Sequence, residues 1–328
     1  MSKVRINKFD NMKGLAIILV LIGHFDYINA IPGDIAHYLF LIHLPVFFFV
    51  AGYFSKTDPS QPLKSFKRLM VPYIIFCILI ELFRYVYTGS MNWNMIVLQS
   101  SMALWFLIAL FIMKIILPIW DKFRFPIITA LAVALIFGIY DIHPNILGLT
   151  RMFAYLPVFL VGFYYNSYKD KIKSVYPKLY NFYDRYFIVI AALIVIISII
   201  ITIKHPAWDF VFKKHYAYNN ILKLAAKRLI VLCCEIGLVI VLNRIMTNKE
   251  CFLTKFGRNS MAVYVLHPFI YYFFKPIWPG IFTNPTISLI STLALGLIVT
   301  VVLSRDVVTK YLNKFTDGVY NLIVKPSP

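Results

Sequence analysis

The sequence predicts an all-α integral membrane protein of about ten transmembrane helices, with both termini cytoplasmic, and three observations carry that expectation. Hydrophobic residues make up 60% of the 328-residue chain and charged residues only 14%, against roughly 25% charged in soluble domains. One globular core cannot hold so many apolar side chains, and lipid must face them. Windows of predominantly apolar residues recur along the whole length, and Lys and Arg gather in alternate segments between them. With a mean hydropathy of +0.75, an ordinary soluble protein is excluded.

The windows follow in order. Residues 11–29 pass from Asp10 and Lys13 through Leu15 to Ile22 and reach Gly23-His24-Phe25-Asp26. No small-residue cleavage site follows, so this is read as a retained first helix and not a signal peptide. Residues 35–54 carry His43 and Pro45, 69–87 open on Pro72-Tyr73, and 98–119 contain Trp105. The window 126–140 is short; 151–167 surround Pro157, 186–203 are an Ile/Val-rich run, and 224–242 begin with Lys227 and Arg228 close to the entry. His267 and Pro268 fall within 259–278, and 286–304 close the set. No internal repeat, low-complexity tract or soluble domain interrupts them, so residues 1–328 read as a single polytopic domain.

Charge sets the orientation. Lys plus Arg is 33 and Asp plus Glu is 14, a net charge of +19, which in a soluble protein would suggest nucleic acid. With the N-terminus inside, the inner segments hold 22 Lys and Arg, among them Lys56, Lys64, Lys67, Arg68, Lys169, Lys171, Lys173, Arg305 and Lys310, and the outer segments hold 3: Lys204, Lys213 and Lys214. That asymmetry is the positive-inside pattern, so the partner of the charge is anionic inner-leaflet lipid and not nucleic acid. Cys77, Cys233, Cys234 and Cys251 show no metal-type spacing and read as free thiols.

Ionisable groups at membrane depth cost several kcal/mol unless they pair or line a wet cavity. Lys13 and His24 are the sharpest case. At 100° per residue they fall within about 20° of one helical face, separated by roughly 16.5 Å along the axis, so one face offers a cation inside and an imidazole toward the outside. Arg84, with Glu81 one turn before it, and Arg151 lie toward the outer ends of their windows. Two readings of Glu81 stand, orienting a base or neutralising Arg84. Glu235 is the expected partner of a buried cation, Lys114 and Lys275 read as snorkelling side chains, and Trp105 reads as packing or interfacial anchor before substrate platform. Pro45, Pro157 and Pro268 release the carbonyls of Leu41, Phe153 and Tyr264. Such backbone suits a shared cavity wall, with packing kinks as the other reading, and places His43 and His267 near the midplane.

These residues resemble a known family, the membrane acyltransferase-3 proteins, and within it the fucose 4-O-acetylase-like branch. The first-helix signature, a basic residue, ten others and a His, is met by Lys13 and His24 behind Asp10-Asn11-Met12-Lys13-Gly14. Four further stretches resemble family motifs in the expected order: His43 to Tyr53, Leu104-Trp105-Phe106-Leu107, Pro157 to Gly162, and Gly257 to Pro268. The family's Arg-x-x-Arg pair is replaced by Lys64, Lys67 and Arg68, which lack the forked donor geometry at the first two places.

What the resemblance implies is an O-acetyltransferase in a cell membrane, the bacterial inner or plasma membrane. It would move acetyl from cytoplasmic acetyl-coenzyme A, a co-substrate and not a resident cofactor, to a sugar hydroxyl of an envelope glycan or its lipid-linked precursor. His24 would act as base or acetyl carrier, with Lys13 toward the cytoplasmic end of the same helical face as the catalytic cation. Lys64, Lys67 and Arg68 would hold the phosphates of coenzyme A, and Arg151, Arg84, Glu81, Trp105, His43 and His267 would line the acceptor side. No metal is expected, and the oligomeric state is not legible. A transporter or polysaccharide exporter is the competing class, since midplane histidines and broken helices also build transport sites.

Overall fold

The computed structural model describes residues 5–26, 31, 33–94, 102–138, 146–204, 221–281 and 283–324; Lys213 and Lys214 lie outside them. Among the described residues the chain is helical throughout, with no strand. In order run α1 (Asn7–His24), α2 (Gly33–Tyr53), α3 (Gln61–Thr88), α4 (Met102–Trp120), α5 (Pro126–Ile136), α6 (Ile146–Val175), α7 (Pro177–Arg185) and α8 (Phe187–Lys204). There follow α9 (Ile221–Ile245), α10 (Phe252–Arg258), α11 (Ser260–Phe274), α12 (Trp278–Ile281), α13 (Pro285–Leu303) and α14 (Asp306–Ile323).

Local chemistry fixes the boundaries. Pro126, Pro177 and Pro285 open α5, α7 and α13, where a missing N–H costs nothing. Asn284 caps α13 by accepting from the amides of Thr286 at 2.9 Å and Ile287 at 3.2 Å, a contact worth about 1 kcal/mol. Gly89, at φ 66°, ends α3 in the left-handed region.

Every window read as a span carries a helix, and five helices are long and apolar enough to cross a membrane on length and composition: α3, α4, α6, α8 and α13. α5, α11 and the His37–Tyr53 part of α2 are apolar but shorter. Charges interrupt α1, at Lys8, Asp10 and Lys13, and α9, at Lys223, Lys227, Arg228 and Glu235. The outer surface fits lipid: along α8 the side chains of Ile188, Val189, Leu193, Ile196, Ile197, Ile200 and Ile203 are exposed, an apolar face that water would not tolerate. The helices run on through Pro45, Pro157 and Pro268, and each proline, having no N–H, still leaves the carbonyl four residues earlier without its helical donor.

Two helix crossings position everything else. Where α1 meets α10, a Cβ on Gly14 would stand 2.0 Å from the carbonyl oxygen of Leu253, and one on Gly257 would stand 1.7 Å from that of Asp10. Where α2 meets α6, a Cβ on Gly52 would stand 1.9 Å from the carbonyl oxygen of Phe159, and one on Gly162 would stand 2.1 Å from that of Phe49. Each crossing is reciprocal, backbone against backbone. These four glycines sit in the Lys13, Gly257, His43 and Pro157 motifs, so those motifs encode contacts between helices as much as chemistry.

Candidate active site

The first crossing holds a polar knot. Asp10, in the first turn of α1 where a carboxylate is favoured, accepts from Arg5 at 2.5 Å, pairs with Lys13 at 3.0 Å, and lies 3.9 Å from Arg258. The amide of Asn11 donates to the carbonyls of Thr247 at 2.9 Å and Lys249 at 3.0 Å, and its oxygen accepts from the Thr254 hydroxyl at 2.5 Å. Lys13 therefore enters the bundle already oriented.

From there Lys13 reaches a cavity of about 240 Å³ between α1, α2, α3, α4 and α11. Lys114 also lines it, with its ammonium donating to Ser55 Oγ at 3.0 Å, and Arg68 stands within electrostatic reach of Lys114. Lys114 thus faces the interior of the bundle and does not snorkel. Two cations converge on one apolar-walled chamber, an arrangement suited to an anionic or carbonyl-rich guest.

A second cavity, about 200 Å³, is lined by His24, His43, Trp105 and Arg151. His24, the half-buried end of α1, stacks on His267 with ring centroids 5.3 Å apart and 24° between planes, and sits edge-on to Phe40 at 6.5 Å. His43 Nδ1 lies 2.7 Å from the carbonyl of Leu39, and His267 Nδ1 lies 3.3 Å from that of Val263. A carbonyl only accepts, so Nδ1 carries the hydrogen in both rings and Nε2 keeps the lone pair. In His267 that nitrogen is buried and has no hydrogen-bond partner among the described residues. Arg151 lies over the Trp105 ring at 5.3 Å, and Trp105 stacks on Tyr155 at 6.3 Å, so the tryptophan is both packing and a floor for the guanidinium.

The structure thus brings together His24, His43, Trp105 and Arg151 in one chamber, with His267 behind His24, and sets Lys13 in the other. It does not bring Glu81 and Arg84 to either. Arg84 donates to both Glu81 oxygens at 2.9 and 2.8 Å and lies 5.3 Å from the Tyr272 ring, the neutralising arrangement. Lys64 is exposed, donating to Ser60 Oγ at 2.7 Å. Lys67 is held by α14, paired with Asp317 at 2.9 Å and 4.9 Å from the Tyr320 ring; with Arg68 it lies on the π-helical turn Phe66–Met70. Glu235 and Arg228 are both fully buried two turns apart on α9, with Tyr155 within electrostatic reach of both and of Arg151. Sequence reading missed Lys114 as a chamber residue, although a lysine in the middle of an apolar run was the available signal. It also missed a role for the aromatic residues between the chambers, Phe47, Phe106 and Tyr264, although each lies within one of the motif stretches.

A bundle of long apolar helices with two neighbouring cavities, one lined by Lys13 and Lys114 and the other by His24, His43 and Arg151, has the make-up of a multi-helix membrane protein. Residues 6–305 match the family model described as an acyltransferase domain, and the chain belongs to the acyltransferase-3 family. It is a membrane acyltransferase. No curated protein and no solved structure matches it significantly.

Proposed function

We propose that the chain is an O-acetyltransferase of the fucose 4-O-acetylase-like branch. It moves acetyl from cytoplasmic acetyl-coenzyme A to a sugar hydroxyl of a cell-envelope polysaccharide or its lipid-linked precursor. The observation that supports this reading is that one helix, α1, sends Lys13 into one chamber and His24 into the next. With ten spans and both termini cytoplasmic, the Lys13 chamber takes the donor from inside and the His24 chamber takes the sugar from outside.

The thioester is already activated, so the protein has to position two substrates, accept a proton and steady an oxyanion. The acceptor hydroxyl gives its proton to the His24 imidazole while its oxygen attacks the thioester carbonyl carbon. The tetrahedral oxyanion collapses, the C–S bond breaks, and the departing thiolate of coenzyme A takes the proton back from the imidazolium. Acetyl ester and free thiol are the products. Arg151, lining the same chamber as His24, is placed to offer the oxyanion or the glycan its guanidinium hydrogens. Lys13 and Lys114 steady the donor, and Lys67 and Arg68 stand at the entry for its phosphates.

The test is transfer across a sealed bilayer. Proteoliposomes holding radiolabelled acetyl-coenzyme A inside and lipid-linked glycan outside are expected to acetylate the outer acceptor and release free coenzyme A inside in equal amounts. Glycan passage without coenzyme A release would make the protein an exporter. Sidedness is checked with single cysteines at Ser60 and Asn219, the latter outside the described residues, in a background lacking the four native cysteines. An impermeant maleimide is expected to label Asn219→Cys in intact cells and Ser60→Cys only after lysis; the reverse pattern sinks cross-membrane transfer.

A further inference from the structure

The two chambers share three lining residues, Phe47 of α2, Phe106 of α4 and Tyr264 of α11. Their rings form one edge-to-face chain. Phe47 and Phe106 have centroids 5.8 Å apart at 64°, and Phe106 and Tyr264 are 5.7 Å apart at 66°. Three separate helices thus contribute one ring each to a partition with Lys13 and Lys114 on one side and His24, His43 and Arg151 on the other.

We propose that Phe47, Phe106 and Tyr264 are a gate that the acyl end of the donor must cross to reach His24, and that its width determines which acyl chains are transferred. This rests on the acyltransferase reading above and deepens it. The three leaves are not equally free. Tyr264 is buried and its hydroxyl donates to the carbonyl of Ala103, in the turn that opens α4. Phe106 is backed by Phe48 at 4.8 Å. Phe47 is half-buried, with Phe106 as its ring neighbour, and is the leaf with room to swing. Ring edges admit a neutral thioester and a short alkyl chain, but an anion between them would lose its hydration with no partner in exchange. The phosphates therefore stay with the lysines while the acyl group goes through. A closed gate also keeps the thioester from water in the His24 chamber until an acceptor is seated.

The experiment uses the full chain in detergent or liposomes and reads coenzyme A release with and without acceptor, for acetyl and butyryl donors. Phe47→Ala and Phe106→Ala are expected to raise acceptor-independent release and to improve butyryl relative to acetyl transfer, each by about tenfold, the scale on which a pocket discriminates one or two methylenes. Phe47→Trp, which narrows the passage, is expected to lower the acetyl transfer rate with the donor KM unchanged. Phe47→Leu, at the half-buried position where the fold is least disturbed, is expected to show the alanine effect in weaker form. Folded variants that release coenzyme A only with acceptor and keep the wild-type chain preference would overturn the gate while leaving the transferase reading in place. A wild-type protein that never releases coenzyme A would overturn the transferase reading and the gate together.

Discussion

Lys13 and His24 stand on one face of α1, yet the two ends of that helix are built from opposite materials. On the side where α1 crosses α10, the neighbours of Lys13 are charges, amides and bare backbone: Asp10, Arg5, Asn11, Thr254, and the Gly14 and Gly257 contacts. Around His24 they are rings: His267, Phe40, and beyond them Trp105 and Phe106. The first environment neutralises the cation in place, so a guest must offer more than Asp10 does to draw it away. The second leaves the imidazole among polarisable faces that hold its plane, with no hydrogen bond to its nitrogens among the described residues.

The comparison breaks most completely at the crossing itself. Gly257→Ala would drive a methyl into the carbonyl of Asp10, and since overpacking that cannot relax costs about 3 kcal/mol or more, it is expected to abolish monodisperse protein in size-exclusion chromatography. Gly318→Ala on α14, with open space around it, is the matched control and is expected to leave the elution profile unchanged. Equal behaviour of the two would remove the crossing from the account.

The next effect separates the ends functionally. His24→Gln should reduce acetyl transfer by about 100-fold or more, the range of a lost general base, with unfolding temperature and membrane insertion intact. Retained transfer above an empty-membrane control would take the base role from His24. Lys13→Ala should instead act on the donor, raising its KM about tenfold, the cost of losing a charge-assisted contact, while Lys13→Arg stays close to wild type. Lys67→Gln should have the smallest effect, within about threefold, because an exposed ion pair contributes little. A larger donor response at Lys67 than at Lys13 would reverse the assignment of the cationic end.

The same contrast shows what the sequence made legible. Apolar windows are read by counting, and each of them carries a helix; the face shared by Lys13 and His24 follows from helical periodicity. The α14 helix escaped because its apolar positions, Val307, Tyr311, Phe315 and Leu322, are spaced among Lys310, Lys314 and Asp317, so no continuous run marks it, and the segment reads as a basic inner tail. Lys67 was legible as a cation but not as one already engaged, because its partners Asp317 and Tyr320 lie at the far end of the chain. Gly14 and Gly257 were visible inside their motifs, but that each exists for the other's helix is a tertiary fact. The gate is the extreme case: Phe47, Phe106 and Tyr264 each lie inside a motif stretch, but nothing along the chain says that three helices bring their rings together.

The Asn11–Thr254 hydrogen bond joins positions 243 residues apart, and this sets a timetable. During synthesis α1 leaves the ribosome well before α10 and α11, so the Thr254 side of the knot, the His267 ring behind His24 and the Tyr264 edge of both chambers come into being only after the helices between them have been made. Until then the early helix carries its charge compensated locally, Asp10 against Lys13 one turn along, and waits with half a site. A nascent chain stalled before Tyr264 holds the imidazole without its opposite wall, and both chambers stay unfinished until that residue arrives.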